Sequence, residues 1–131
     1  MKMSPVEKAS RFVVQEHHAK NIHWDFRLEM NGVLKSWAVP KQIPKEAGVK
    51  RLAIQTGDHE LSYLDFEGDI PEGMYGAGKV IIRDRGTYNL IESDERKILL
   101  ALQGKNLNGK YCLIRFEKGG SDSWLLFKVG E

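Results

Sequence analysis

Residues 22–39 read IHWDFRLEMNGVLKSWAV, and this stretch decides the fold class. Ile22, Trp24, Phe26, Leu28 and Met30 fall on one side of a period-two pattern, and His23, Asp25, Arg27 and Glu29 fall on the other. Such alternation predicts a strand with one buried face. Asn31-Gly32 supplies two residues that tolerate positive φ, as a two-residue hairpin turn requires. Val33 to Val39 then reads as the returning strand, stopped by Pro40.

Working outward, Phe12 to His17 reads as a short strand with Val13, Gln15 and His17 on one side. Prolines at 40 and 44 and Gly48 make the next stretch a loop, and KRLAIQT, from Lys50 to Thr56, reads as another strand. FEGDIPEGMYGAG, from Phe66 to Gly78, is an irregular, glycine-rich connection. KVIIRD, the turn RG and TYNLIE predict a second hairpin. Around Ile98, Leu99, Leu100 and Leu102 the pattern fits a short helix or a buried strand equally. The chain closes with two strands around a Lys118 to Asp122 turn. Roughly eight to ten short strands with little helix predict an all-β chain, a small closed or nearly closed antiparallel β-barrel, with a β-sandwich as second choice. The domain reading is a short, flexible N-terminal segment over 1–11 and a single barrel domain over 12–131.

A chain of 131 residues with 41% hydrophobic and 29% charged residues is long enough to bury one core without metal or disulfide support. The net charge of +2 is too small to announce a nucleic-acid or membrane partner, so any anion site must come from local arrangement. The lone Cys112 excludes an intrachain disulfide framework. No apolar run approaches the ~20 residues of a membrane span, and the N-terminus lacks a signal-peptide segment. A cytoplasmic monomer with no membrane partner is the expectation.

His23 and Asp25 lie two apart on one strand, so their side chains project the same way, and an antiparallel neighbour ~4.8 Å off brings His17 beside them. Two imidazoles and a carboxylate leave coordination positions open and suit zinc, manganese or iron better than calcium. Arg27 on the same face cannot ligate a metal, but its forked donors match phosphate oxygens. Metal plus arginine on one wall points to phosphoryl chemistry. The same alternation is equally that of an ordinary amphipathic strand with a wet face. Arg51 and His59 are each a polar residue near a strand end, and Lys41 and Lys50 are ordinary solvating lysines by their pattern.

Two other patterns carry less. GMYGAGK, Gly73 to Lys79, matches part of a phosphate-binding loop, but Val80 stands where that loop needs Ser or Thr, and a strand follows where a helix is required. Trp24, Phe26, Trp37, Tyr63, Phe66, Tyr75, Tyr88, Phe116 and Trp124 include candidate base-stacking platforms, though Trp24 and Phe26 lie on the apolar side of their strand.

FVVQEHHAKNIHWDFRLEMNGVLKSWAVPK, KRLAIQTGDHELSY and FEGDIPEGMYGAGKV together closely resemble the 3'-phosphoesterase domain of bacterial DNA ligase D and its free-standing relatives. The likeness runs from Phe12 to Val80 and, more weakly, to the closing strands. It implies a compact β-barrel that processes 3' ends for ligation, removing 3'-phosphates and terminal 3'-ribonucleosides from a DNA primer-template. The implied metal ligands are His17, His23 and Asp25, with Mn2+ the usual ion and Zn2+ or Co2+ as other candidates. The implied catalytic and phosphate-contacting residues are Arg27, Arg51 and His59, with Gln15, Lys41 and Tyr63 supporting the substrate pocket. A separate DNA ligase, polymerase or end-binding protein is the implied protein partner. The alternative is a catalytically inactive DNA-end binding or docking module.

Three departures stand out. Glu16 replaces a usual Lys and adds negative charge beside the site unless its side chain turns away, Trp24 replaces Tyr, and His17-His18 replaces a single His. The ligase-linked members also carry an N-terminal arm with further active-site residues, for which only Arg11 and Glu7 offer substitutes. A basic stripe of Lys20, Lys41, Lys50 and Arg51 flanking the pocket would favour DNA over a small phosphoester.

Overall fold

The 22–39 hairpin folds as its alternation dictates. β2 (Ile22–Met30) and β3 (Val33–Val39) pair antiparallel from Met30↔Val33 to Trp24↔Val39, and Asn31 (φ 55°) with Gly32 (φ 83°) makes the turn. The computed structural model, which describes residues 10–130, adds β1 (Ser10–His18), β4 (Lys50–His59), β5 (Gly68–Ile70), β6 (Gly78–Ser93), β7 (Lys97–Gly104), β8 (Asn108–Arg115) and β9 (Ser123–Lys128). In the order β1–β2–β3–β4–β9–β8–β7–β6, eight strands close into an antiparallel barrel, because β6 pairs back onto β1. Closure leaves no long unpaired edge, the hazard of an open sheet. β5 adds three residues to the start of β6, and among the described residues helix is confined to 3₁₀ turns at Leu61–Asp65 and Glu117–Gly119.

Every wall strand sends side chains to one core. Phe12, Val14, Phe26, Leu28, Trp37, Val39, Ala53, Tyr88, Leu100, Leu102, Tyr111, Leu113, Trp124 and Leu126 form a single cluster inside the barrel. The Trp37 and Trp124 rings meet edge to face, 5.8 Å between centroids, and the Tyr111 hydroxyl donates to the Pro44 carbonyl at 2.6 Å. By the alternation of the pleat, Val13, Gln15 and His17 on β1 and His23, Asp25 and Arg27 on β2 therefore face outward.

The structure corrects two expectations and decides two readings that the sequence left open. The KVIIRD–TYNLIE segment is one 16-residue strand, β6, with no turn at Arg85-Gly86. Gly86 instead pairs with both Phe12 and Gly104, and a Cβ there would lie 2.1 Å from the Gln103 carbonyl oxygen, so glycine serves close backbone approach. The ambiguous 98–102 segment lies in strand β7, and β4 runs on from Thr56 to His59. Finally, the outward face of β2 is not wet: Asp25 is 5% and Arg27 4% exposed. A second small cluster, Val13, Leu34 and Leu64 with Leu61, Tyr63 and Ile82, packs the 3₁₀ turn over that face. Residues 1–9, with Glu7 among them, and Glu131 lie outside the described residues.

Candidate metal centre

Register brings the polar residues together in rows across the outer wall. β1 and β2 pair as Val13↔Arg27, Gln15↔Asp25 and His17↔His23, while β3 sets Ser36 beside Arg27 and Ala38 beside Asp25. Antiparallel pairing thus places His17 directly opposite His23, and Asp25 one pleat along.

The ligand atoms of His17, His23 and Asp25 all lie within 4.8 Å of one another. His17 Nδ1 is 3.6 Å and His23 Nε2 3.3 Å from Asp25 Oδ2. Each imidazole has its other nitrogen on a main-chain carbonyl, His17 Nε2 on Gly76 O at 2.6 Å and His23 Nδ1 on Asn21 O at 3.0 Å. A carbonyl only accepts, so these nitrogens carry the protons, and when the rings are neutral the lone pairs of His17 Nδ1 and His23 Nε2 turn toward Asp25, whereas a protonated His23 donates from Nε2 to the carboxylate. This arrangement fixes ring and tautomer in the way that outer partners of metal-bound histidines do. The residues present therefore fit a divalent cation with nitrogen and oxygen preference.

Electrostatics support the same reading. Burial pushes the Asp25 carboxyl up, but the His23 hydrogen bond and the Arg27 charge outweigh it and hold the group below its ordinary value. Its carboxylate in turn raises the His23 imidazole, against the cost of burial. A proton on His23 and a cation would compete for one position, the usual linkage of metal affinity to pH.

Arg27 holds Asp25 from the other side, with Nη2 3.3 Å from Asp25 Oδ2. Its Nε–H donates to Gln15 Oε1 at 2.6 Å, and Nη1 donates to Ser36 Oγ at 2.8 Å and to His59 Nδ1 at 3.1 Å. Most of the fork is thus engaged within the protein. A free two-pronged phosphate clamp is not what the structure presents, and positioning of Asp25 is the role its contacts describe. Gln15 is fully buried and acts as a bracket, its amide donating to the Tyr63 carbonyl at 2.9 Å and the Phe66 carbonyl at 3.1 Å. That holds the Tyr63 ring 4.8 Å from the Arg27 guanidinium, with Phe66 stacked on it at 4.9 Å.

His59 reaches this face through a bulge. Between the pairs Ser36↔Thr56 and Leu34↔His59, β4 uses one residue more than β3. Strict alternation would have kept His59 on the side of Arg51 and Ala53; the extra residue moves it to the side of Thr56. Because Arg27 can only donate, the His59 Nδ1 it meets carries a lone pair and the ring proton sits on Nε2. The Gly57 carbonyl, 3.1 Å from the same Nδ1, is then a close approach and not an acceptor. Burial and then the Arg27 charge lower the His59 pKa from its ordinary value, in accord with a neutral ring.

The cavity over these residues has a volume of about 540 Å³. His17, His23, Asp25, Arg27, His59 and Tyr63 line it, with Lys20 and Asn21 from the β1–β2 turn, Thr56 on the wall and Tyr75, Gly76 and Ala77 at the rim. Arg51 and Lys41 do not. Arg51 lies on the opposite face of β4, paired with the core residue Leu126, and donates to the Gln42 carbonyl at 3.1 Å. Lys41 is solvent-exposed, and the Lys50 ammonium rests 5.4 Å from the Phe127 ring, so of the expected basic stripe Lys20 alone borders the cavity. Glu16 turns to the other face of β1, where Arg83 at 2.8 Å and His18 at 2.5 Å hold its carboxylate. Arg11 is engaged with Glu29 at 2.9 Å. Sequence pattern places Gly76 only in the partial phosphate-binding-loop match GMYGAGK and gives no sign of its contact with His17, since a main-chain acceptor has no side-chain signature.

Comparison with known proteins matches the sequence to a family. A family model described as the DNA Ligase D 3'-phosphoesterase domain matches residues 15–115. The chain is 49% identical over 122 residues to the multifunctional non-homologous end joining DNA repair protein LigD of Mycobacterium tuberculosis, covering 90% of this chain and 16% of that protein. It is 48% identical over 125 residues to the multifunctional non-homologous end joining protein LigD of Pseudomonas aeruginosa, covering 91% of this chain and 15% of that one. The LigD of Mycolicibacterium smegmatis is 42% identical over 130 residues, with 91% and 17% covered. The chain thus spans about one sixth of the length of these relatives. No helix among the described residues is long and apolar enough to cross a membrane. A closed barrel carrying two histidines and an aspartate on its outer wall, and matched over residues 15–115, belongs to the DNA ligase D 3'-phosphoesterase domain family.

Proposed function

We propose that the chain is a metal-dependent 3'-end-processing phosphoesterase that removes 3'-phosphates and terminal 3'-ribonucleosides from DNA primer ends before ligation, with Mn2+ as its ion and Zn2+ or Co2+ as substitutes. The observation that carries this reading is the tautomeric lock on His17 and His23, which turns two lone pairs and the Asp25 carboxylate toward one point at the base of an open cavity. His17, His23 and Asp25 would hold the divalent ion, which when bound would supply charge neutralisation for a phosphate and activation of water.

The remaining work falls to the protein's own side chains. Arg27 fixes Asp25 and lines the cavity. His59, neutral with its proton on Nε2, donates a hydrogen bond to a phosphate oxygen or to the departing oxygen. Lys20, at the rim, adds the attraction a terminal phosphate needs. Tyr63, backed by the stacked Phe66 ring, lines the cavity beside Arg27 and covers the guanidinium. Arg51 and Lys41 would take part only if substrate extends past the cavity toward the Gln42 end of the barrel. A DNA primer-template is the proposed partner, handed on to a separate ligase, polymerase or end-binding protein in the cytoplasm.

The test is a time course on primer-templates ending in a 3'-phosphate or a single 3'-ribonucleotide, with Mn2+ and with chelator. Metal-dependent shortening by a phosphate or a nucleoside is expected. Salt-sensitive binding without turnover, surviving His17→Ala, would instead assign a docking module.

A further inference from the structure

The aromatic residues of the chain sort cleanly by environment. Phe12, Phe26, Trp37, Tyr88, Tyr111 and Trp124 are buried in the barrel, Trp24 packs against that core, Phe116 and Phe127 are half-buried, and Tyr63 lies over Arg27 with Phe66 stacked on it. Tyr75 is fully exposed, next to Met74 at 60%, and it lines the cavity rim. The other exposed large apolar side chains among the described residues, Ile22, Leu52, Leu90, Ile91 and Ile114, sit on wall strands and do not line the cavity.

The tip that carries Tyr75 is built to stay in place. Met74 N–H donates to the Pro71 carbonyl at 3.2 Å and Ala77 N–H to the Met74 carbonyl at 3.1 Å. Gly73 and Gly76 turn the chain at φ 89° and 77°. The Gly76 carbonyl accepts from His17, and a Cβ on Gly76 would stand 3.4 Å from His17 Cε1. The residue after Tyr75 is thus fastened to a metal-centre histidine, which fixes the ring's place relative to the centre. An exposed aromatic face held beside a charged cavity offers what an unpaired or terminal base needs: a flat apolar surface that any base accepts.

We propose that Tyr75, flanked by Met74, is the platform on which the terminal base of a nucleic-acid 3' end stacks, holding its terminal phosphate over the His17–His23–Asp25 centre. This rests on the reading of the site as one that takes DNA 3' ends. It gives the site a sequence-tolerant grip on the last nucleotide that the small basic contribution at the rim does not provide. Tyr75 is a positioning residue, and the phenol hydroxyl has no part in it.

The test compares the wild type with Tyr75→Ala and Tyr75→Phe on 3'-phosphate primer-templates whose terminal residue carries 2-aminopurine or lacks a base. Tyr75→Ala should raise KM about tenfold on the base-bearing end, the scale of one lost stack, with kcat nearly unchanged. Tyr75→Phe should behave as wild type, and on the baseless end all three should agree. In chelator, binding should quench the 2-aminopurine with wild type and Tyr75→Phe and not with Tyr75→Ala. Equal KM for wild type and Tyr75→Ala on the base-bearing end, or an equal loss on the baseless end, overturns the platform. Absence of wild-type turnover would count against the enzymatic reading alone; the quenching comparison then decides, its loss in Tyr75→Ala supporting the platform and its persistence overturning it.

Discussion

Arg27 Nη2 stands 3.3 Å from Asp25 Oδ2, on a guanidinium whose other nitrogens are held by Gln15, Ser36 and His59. Lysine keeps the charge but offers one compact ammonium in place of a planar fork. Arg27→Lys should therefore lose Gln15 and Ser36 together, let Asp25 swing, and weaken metal binding as well as turnover. Titrating Mn2+ into both proteins checks this. Equal metal affinity with reduced turnover would move Arg27 from positioning to direct phosphate contact.

Gln15 makes three hydrogen bonds with no exposure to water. Gln15→Leu strands the Arg27 Nε–H and the Phe66 carbonyl, while the Tyr63 carbonyl keeps the Phe66 N–H, at a cost of about 2–3 kcal/mol if solvent cannot reach the stranded groups. Chemical denaturation should report that loss. Gln15→Glu keeps an acceptor for Arg27 but sets a carboxylate against the Tyr63 and Phe66 carbonyls, so the 3₁₀ roof should loosen and turnover fall.

The β2 alternation made the hairpin and the His23–Asp25–Arg27 face legible in the sequence, because a period of two needs no tertiary information. Nothing in that period says that a roof covers the second face, so the burial of Asp25 and Arg27 was not legible. His59 and Arg51 share parity along β4, and the bulge between Thr56 and His59 that separates them is a backbone event without a residue signature. Gly86 read as a turn for a similar reason: a glycine chosen for close strand approach looks the same as one chosen for positive φ. The resemblance named both His59, which lines the cavity, and Arg51, which lies on the opposite face of β4.

Gly86 offers a separate check on the fold. Gly86→Ala places a Cβ 2.1 Å from the Gln103 carbonyl oxygen, at the point where β6 meets both β1 and β7. Overpacking of this kind typically costs about 1–3 kcal/mol, more where backbone must move. A lowered Tm with barrel-like circular dichroism is expected. A substitution without effect would favour a hairpin turn at this position.

His59 should leave a signature in acid. Its pKa is lowered in the fold by burial and by Arg27, while in the unfolded chain the imidazole titrates near about 6.5. As pH falls, the unfolded state takes up this proton first, so the His59 contribution to stability is complete above about pH 6.5 and is lost as pH drops through the folded value. Unfolding free energies of wild type and His59→Gln, measured from about pH 7 to about pH 5, should diverge, with the wild type falling faster. Parallel curves would mean that the ring is not held neutral.

The central claim is that His17, His23 and Asp25 form a metal site serving 3'-phosphate chemistry. The most direct measurement is phosphate release from a 3'-phosphate primer-template by wild type and Asp25→Ala across a Mn2+ titration, with folding of the variant verified by circular dichroism. Wild type should show saturable, Mn2+-dependent release, and the folded variant should show none at any concentration. Release that is independent of metal, or that persists in folded Asp25→Ala, would contradict the account.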